Sequence, residues 1–108
     1  MRLLSHPDSQ DFSLATVLYA LGDPVRLQVV KQLADQGEVA CGGFDLRVAK
    51  STMSHHFRIL RESGIIRCRR SGTQHLNSLR KTELDDRFPG LLDSILAAID
   101  ASTSVSQP

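Results

Sequence analysis

Hydrophobic and polar positions change their period several times along this chain, and each change marks an element. Leu14, Val17, Leu18 and Leu21 recur at the spacing of one helix face, so a helix is expected from Asp11 to about Gly22. "GDPVRLQVVKQLADQG" predicts a second helix. Asp23 can cap it, Pro24 suits a first turn where a missing N–H costs nothing, and Gly37 can end it in the left-handed conformation. Arg26 is oddly signed for a helix N-terminus, where the backbone dipole favours anions, and calls for an acidic or phosphate partner. Between Glu38 and Lys50 the pattern is weakest. Gly42 and Gly43 argue against a continuous helix there, leaving a short one expected around Phe44 to Val48.

Ser51 begins a clearer helix, closed by Gly64. Met53, Phe57 and Leu60 recur at i, i+4 and i+7 and should face inward, while Ser51, His55, Arg58 and Glu62 project from the opposite side. Thr52 and Ser54 lie on the flanks, and His56 falls close enough to Met53 to be partly packed. After Gly64 the period drops to two. "IIRCRR" and "TQHLNSL" read as strands separated by Ser71-Gly72, a plausible two-residue hairpin turn. Arg67 and Arg69 would share one face of the first strand, Cys68 and Arg70 the other, with His75 across from Cys68. A last helix is expected from Phe88, with Leu91, Leu92, Ile95, Leu96 and Ile99 on its apolar stripe and Pro89 tolerated in its first turn.

A short helix, a tight connection and a second helix with a polar outer face make a helix-turn-helix, and a basic hairpin directly after it makes a winged one. The expected fold is thus mainly α with a two-stranded β-hairpin wing, in the order α-α-α-α-β-β-α. Residues 1–10 read as a flexible arm that includes His6, 11–101 as the winged-helix DNA-binding and dimerisation domain, and 102–108 as a polar tail. At 108 residues the chain has room for one ordinary domain. Its most apolar run, "LATVLYAL", is far too short to span a bilayer, and "MRLLSHPDSQ" lacks the apolar stretch of a signal peptide. Two cysteines make no disulfide scaffold, so a reducing cytoplasmic setting is expected.

Charge sharpens this picture. The chain carries a formal +1, yet from Arg47 to Lys81 nine Lys or Arg face Glu62 alone, a net +8 set against −7 in the remainder. A basic segment of this kind is the footprint expected for a polyanion. The chemistry suits double-stranded DNA, because a helix of this length fits the major groove. Lys50, Ser51, Thr52 and Ser54 near the helix N-terminus can approach phosphates. His55 and Arg58 can reach base edges or phosphates, and Arg67, Arg69 and Arg70 can grip the flanking backbone or a minor groove. An acidic protein partner is the alternative that the charge leaves open. No phosphate-binding glycine loop, paired acid–base constellation or oxyanion site stands out, so an enzyme is not expected.

"LGDPVRLQVVKQLADQGEV" and "KSTMSHHFRILRESGIIRCRRSGTQHL" resemble the winged-helix repressors of the ArsR/SmtB type, over about residues 12–100. The resemblance implies repression relieved by a small signal, and a homodimer whose first and last helices, here 11–21 and 88–101, pack across a two-fold. The apolar faces of those two segments independently suit such an interface. Activation is the other outcome for the same fold, and the sequence names no inducer. Metal-sensing members of the family carry a Cys-x-Cys pair, or Asp and His ligands on the last helix. Here Cys41 stands alone and the last helix offers Asp93 and Asp100 without a histidine, so neither metal nor cofactor is expected. Thiol-sensing members pair a cysteine near the position of Cys41 with one on the last helix. In this chain the second cysteine is Cys68, on the wing, and the two are the candidate thiol sensors.

Overall fold

A computed structural model describes residues 6–105, with side chains described to residue 102. The first five residues of the expected arm and the last three of the expected tail lie outside that range. Five α-helices and three strands follow one another as α1 (Leu14–Leu21), α2 (Pro24–Gln36), β1 (Glu38–Ala40), α3 (Lys50–Glu62), β2 (Ile66–Ser71), β3 (Gln74–Leu79), α4 (Lys81–Arg87) and α5 (Leu91–Val105).

The caps behave as their chemistry demands. Asp23 Oδ2 accepts the backbone N–H groups of Val25 and Arg26, and Pro24 opens α2. Gly37 leaves that helix with φ 87. The first helix starts later than expected, at Leu14, where the Ser13 hydroxyl accepts from Thr16 N. Ahead of it Ser9–Asp11 form a single 3-10 turn, and Phe12 enters the core in an extended conformation. Its ring lies directly over Gly64, the residue that ends α3 at φ 91, so close that a Cβ there would stand 2.2 Å from a ring carbon.

Four elements differ from the sequence expectation. The short helix expected around Phe44 to Val48 does not form. Phe44, Leu46 and Val48 are half-buried while Asp45, Arg47 and Ala49 are exposed, and the chain bends at Arg47-Val48, where Val48 N donates to Leu46 O at 3.0 Å. Only Cys41–Gly43 ahead of it make a 3-10 turn. An unexpected strand, β1, pairs antiparallel with β3, giving a three-stranded sheet of order β1-β3-β2 in place of a two-stranded wing. The hairpin turn sits one residue later than expected, at Gly72-Thr73, with Ser71 opposite Gln74. Gly72 has φ 61 and Thr73 does not have positive φ, the pattern of a turn that needs glycine at its first central position. Finally, α4 precedes the last helix, which begins at Leu91 because Pro89-Gly90 interrupts the run from Phe88. That last helix continues to Val105, into the segment expected as tail.

The core is one cluster. Val17, Ala20 and Leu21 of α1 meet Val29, Val30 and Leu33 of α2, Leu60 of α3, and Ile65 and Ile66 at the start of the hairpin. Leu84 and Leu92 close it from the other side. Leu14, Leu18 and Tyr19 of α1 stay outside, 46–65% exposed.

Candidate nucleic-acid interface

Helix α3 separates into two faces along its whole length. His56 and Leu60 are buried, and Met53 and Phe57 are half-buried against the core. Ser51, Thr52, Ser54, His55 and Arg58 are all exposed, as is Lys50 at the first turn. Lys50 and Arg58 make no ion pair among the described residues. Ala49 at the N-cap supplies no side-chain acceptor, so the first amides of α3 remain available.

His56 fixes how that helix sits. It is 7% exposed, and its Nδ1 lies 3.1 Å from Arg26 Nη1. A guanidinium can only donate, so Nδ1 accepts and the ring proton rests on Nε2. Arg26, 6% exposed, also donates to the carbonyls of Ala20 at 2.6 Å and Tyr19 at 3.3 Å. Its partners are therefore the C-terminal carbonyls of α1 and a histidine of α3, where the sequence suggested an acid or a phosphate. A positive charge at the negative end of α1 explains its sign. One buried side chain ties α1, α2 and α3 together.

On the hairpin the sequence-predicted arginines do not all point freely into solvent. Arg69 makes a two-point ion pair with Glu38, at 2.8 and 2.9 Å. Arg67 reaches Glu83 at 3.2 Å. The same Glu83 accepts two bonds of 2.8 Å from the buried Arg80, which also donates to Pro7 O. Those bonds, with help from Arg67, hold the Glu83 carboxyl down at about 2. Lys81 pairs with Asp85 and Asp93. Arg70 Nε donates to Gly72 O across the turn. Sequence reasoning missed these acids because Glu38 and Glu83 both lie outside the basic stretch and meet it only through the sheet and α4.

The two thiols occupy different environments. Cys41 is exposed and its Sγ accepts from the buried Asn77 Nδ2 at 3.3 Å. Cys68 is buried, and that burial pushes its thiol up from the ordinary value. His75 pairs in register with Arg70, two residues along the strand from its expected partner Cys68, although its Nδ1 still lies 3.8 Å from the Cys68 sulfur. His6 accepts the backbone N–H of Cys68 on the outer edge of β2. Among the described residues no group of three or more His, Cys, Asp or Glu is placed to hold a metal ion, and no helix is long and apolar enough to cross a membrane.

Helix α2 packed against α3, with an irregular segment in place of the short helix expected between them, and a basic β-hairpin directly after the polar, basic outer face of α3, define a winged helix-turn-helix protein of the DNA-binding class. The chain belongs to the arsR family of bacterial regulatory proteins, which residues 23–67 match directly. It is 33% identical over 90 residues to the HTH-type transcriptional regulator YceK of Bacillus subtilis (strain 168), covering 81% of this chain and 90% of that one. It is 30% identical over 73 residues to the arsenical resistance operon repressor of Staphylococcus xylosus, covering 67% and 70%. Among solved structures, the transcriptional repressor BigR from Xylella fastidiosa superposes with a TM-score of 0.62 at 26% identity, covering 88% of this chain and 87% of that one. The family and fold are those of transcriptional regulators, not of enzymes.

Proposed function

We propose that the protein is a homodimeric repressor that binds an inverted repeat in double-stranded DNA, each copy placing α3 in the major groove. The observation that carries this reading is the exposed row Ser51, Thr52, Ser54, His55 and Arg58 over a buried opposite face. The relatives named as repressors support repression over activation. Lys50 and the hydroxyls of Ser51, Thr52 and Ser54 position the helix on phosphates, and His55 and Arg58 read base edges. Arg67, Arg69 and Arg70 contact the flanking backbone from the wing. Two-fold symmetry sets the half-sites about one helical turn apart or a small multiple of it.

The test is a fluorescence-anisotropy titration of the reduced protein against its own upstream intergenic DNA and a shuffled control. The reading requires binding to the native fragment about 10³-fold tighter or more. Arg58→Ala and His55→Ala should each remove discrimination at one position, costing about 1–3 kcal/mol per lost base contact. Equal binding to both fragments overturns specific recognition. Of the two candidate sensor thiols, Cys41 is the one we assign a signalling role, since Cys68 is buried and its thiolate disfavoured. Unchanged operator affinity after peroxide treatment, with oxidation at Cys41 confirmed by mass, overturns that assignment.

A further inference from the structure

The strand that the sequence did not announce brings a carboxylate to the wing. Glu38 is the first residue of β1, directly after the glycine that ends α2. Strand β3 lies between β1 and β2, so the Glu38–Arg69 pair reaches across the whole sheet on its solvent face. Both Arg69 nitrogens that bond Glu38 do so in a fork, with Nε and Nη2 each on a separate carboxylate oxygen. A guanidinium presents the same fork to a phosphate. Arg69 stands two residues before the end of β2, so its Cα lies about 7 Å from the last residue of that strand.

We propose that Glu38 is an intramolecular stand-in for a DNA phosphate: it holds Arg69 in the free protein and yields it to the DNA backbone on binding, so that Glu38 sets the operator affinity downward. The proposal rests on the DNA-binding reading above and deepens it. Three observations carry it. The pair is exposed, with side chains 56% and 36% accessible, so an incoming anion can reach it. An exposed ion pair contributes little net stability, so exchanging one oxyanion for another costs little. The Arg69 guanidinium also holds the Glu38 carboxyl below the usual carboxylate range, so Glu38 stays charged wherever DNA binding is measured. Glu83 differs, because it is committed to the buried Arg80 and cannot leave without stranding it.

The experiment is a double-mutant cycle on operator affinity with wild type, Glu38→Gln, Arg69→Ala and the double variant, at two salt concentrations. Glu38→Gln should tighten binding by about two- to five-fold, the worth of releasing one exposed pair. It should also steepen the salt dependence by up to about one counterion. Arg69→Ala should weaken native and shuffled DNA alike, and Glu38→Gln should then gain nothing in its background. An equal gain in both backgrounds would reduce Glu38 to a general surface charge and overturn the clamp. Weaker binding by Glu38→Gln would overturn it too, making Glu38 a brace that presents Arg69 to DNA. Thermal melts of all four proteins separate these outcomes from unfolding. Failure of the wild type to bind any DNA overturns the DNA-binding reading and the clamp with it; wild-type binding with no dependence on Glu38 overturns the clamp alone.

Discussion

Two single residues show how little spare room this fold leaves. Gly64 combines a φ of 91 with a ring 2.2 Å from where a Cβ would stand, and neither can relax without moving Phe12 out of the core. Gly64→Ala should therefore destabilise the protein by at least about 2 kcal/mol, read as a lowered urea midpoint at unchanged slope. Glu83 makes a different prediction, about pH. Its folded carboxyl sits at about 2 because Arg80, and then Arg67, bond it; unfolded, it would titrate near 4.5. The stabilisation is thus fully present above pH 4.5 and is lost as pH falls through that value toward 2. Glu83→Gln should lower the melting temperature at pH 7 and flatten the decline between those two pH values. An acid limb as steep as the wild type's would mean that other carboxylates control acid unfolding.

At the level of elements, the buried Arg26 is the joint. Arg26→Met keeps much of the volume and leaves Ala20 O and His56 Nδ1 without their donor. We expect a loss of about 2–3 kcal/mol from those two unsatisfied groups, with faster hydrogen exchange at the C-terminal turn of α1 as the local readout. Elements of this kind were unevenly legible. Helices α2 and α3 announced themselves through caps and a 3.6-residue apolar period, and the hairpin through its switch to period two. The segment 44–48 is too short, at five residues, for its pattern to tell a helical turn from the irregular bend that forms. β1 is three residues long with a single buried side chain, Val39, and α4 buries only Leu84, so neither carries enough pattern to be seen. The exposed row on α3 followed from periodicity alone. The acids that hold Arg67 and Arg69 did not, because they are 16 and 31 residues distant and meet the wing only after folding.

For the whole molecule the decisive feature is an apolar surface that this one chain does not cover. Leu14, Leu18 and Tyr19 of α1 are 48%, 46% and 65% exposed. On α5, Ile95 and Ile99 are only half-buried. Exposed leucine and tyrosine of this size are costly to leave in water, and the homodimer proposed above would cover them. A second copy related by a two-fold would bury both helices and present two α3 helices to one face of DNA. Dimerisation and specific binding should then fail together. Leu18→Glu places a charge on the exposed side of α1 and should yield a folded monomer by sedimentation velocity. Its operator affinity should fall by about 10²-fold or more, since the second half-site no longer gains from the effective concentration that linkage supplies. Binding to a single half-site should be nearly unchanged. A Leu18→Glu protein that stays dimeric would place the interface elsewhere on the molecule. A monomer that keeps full operator affinity would mean that one α3 and one wing are sufficient for recognition.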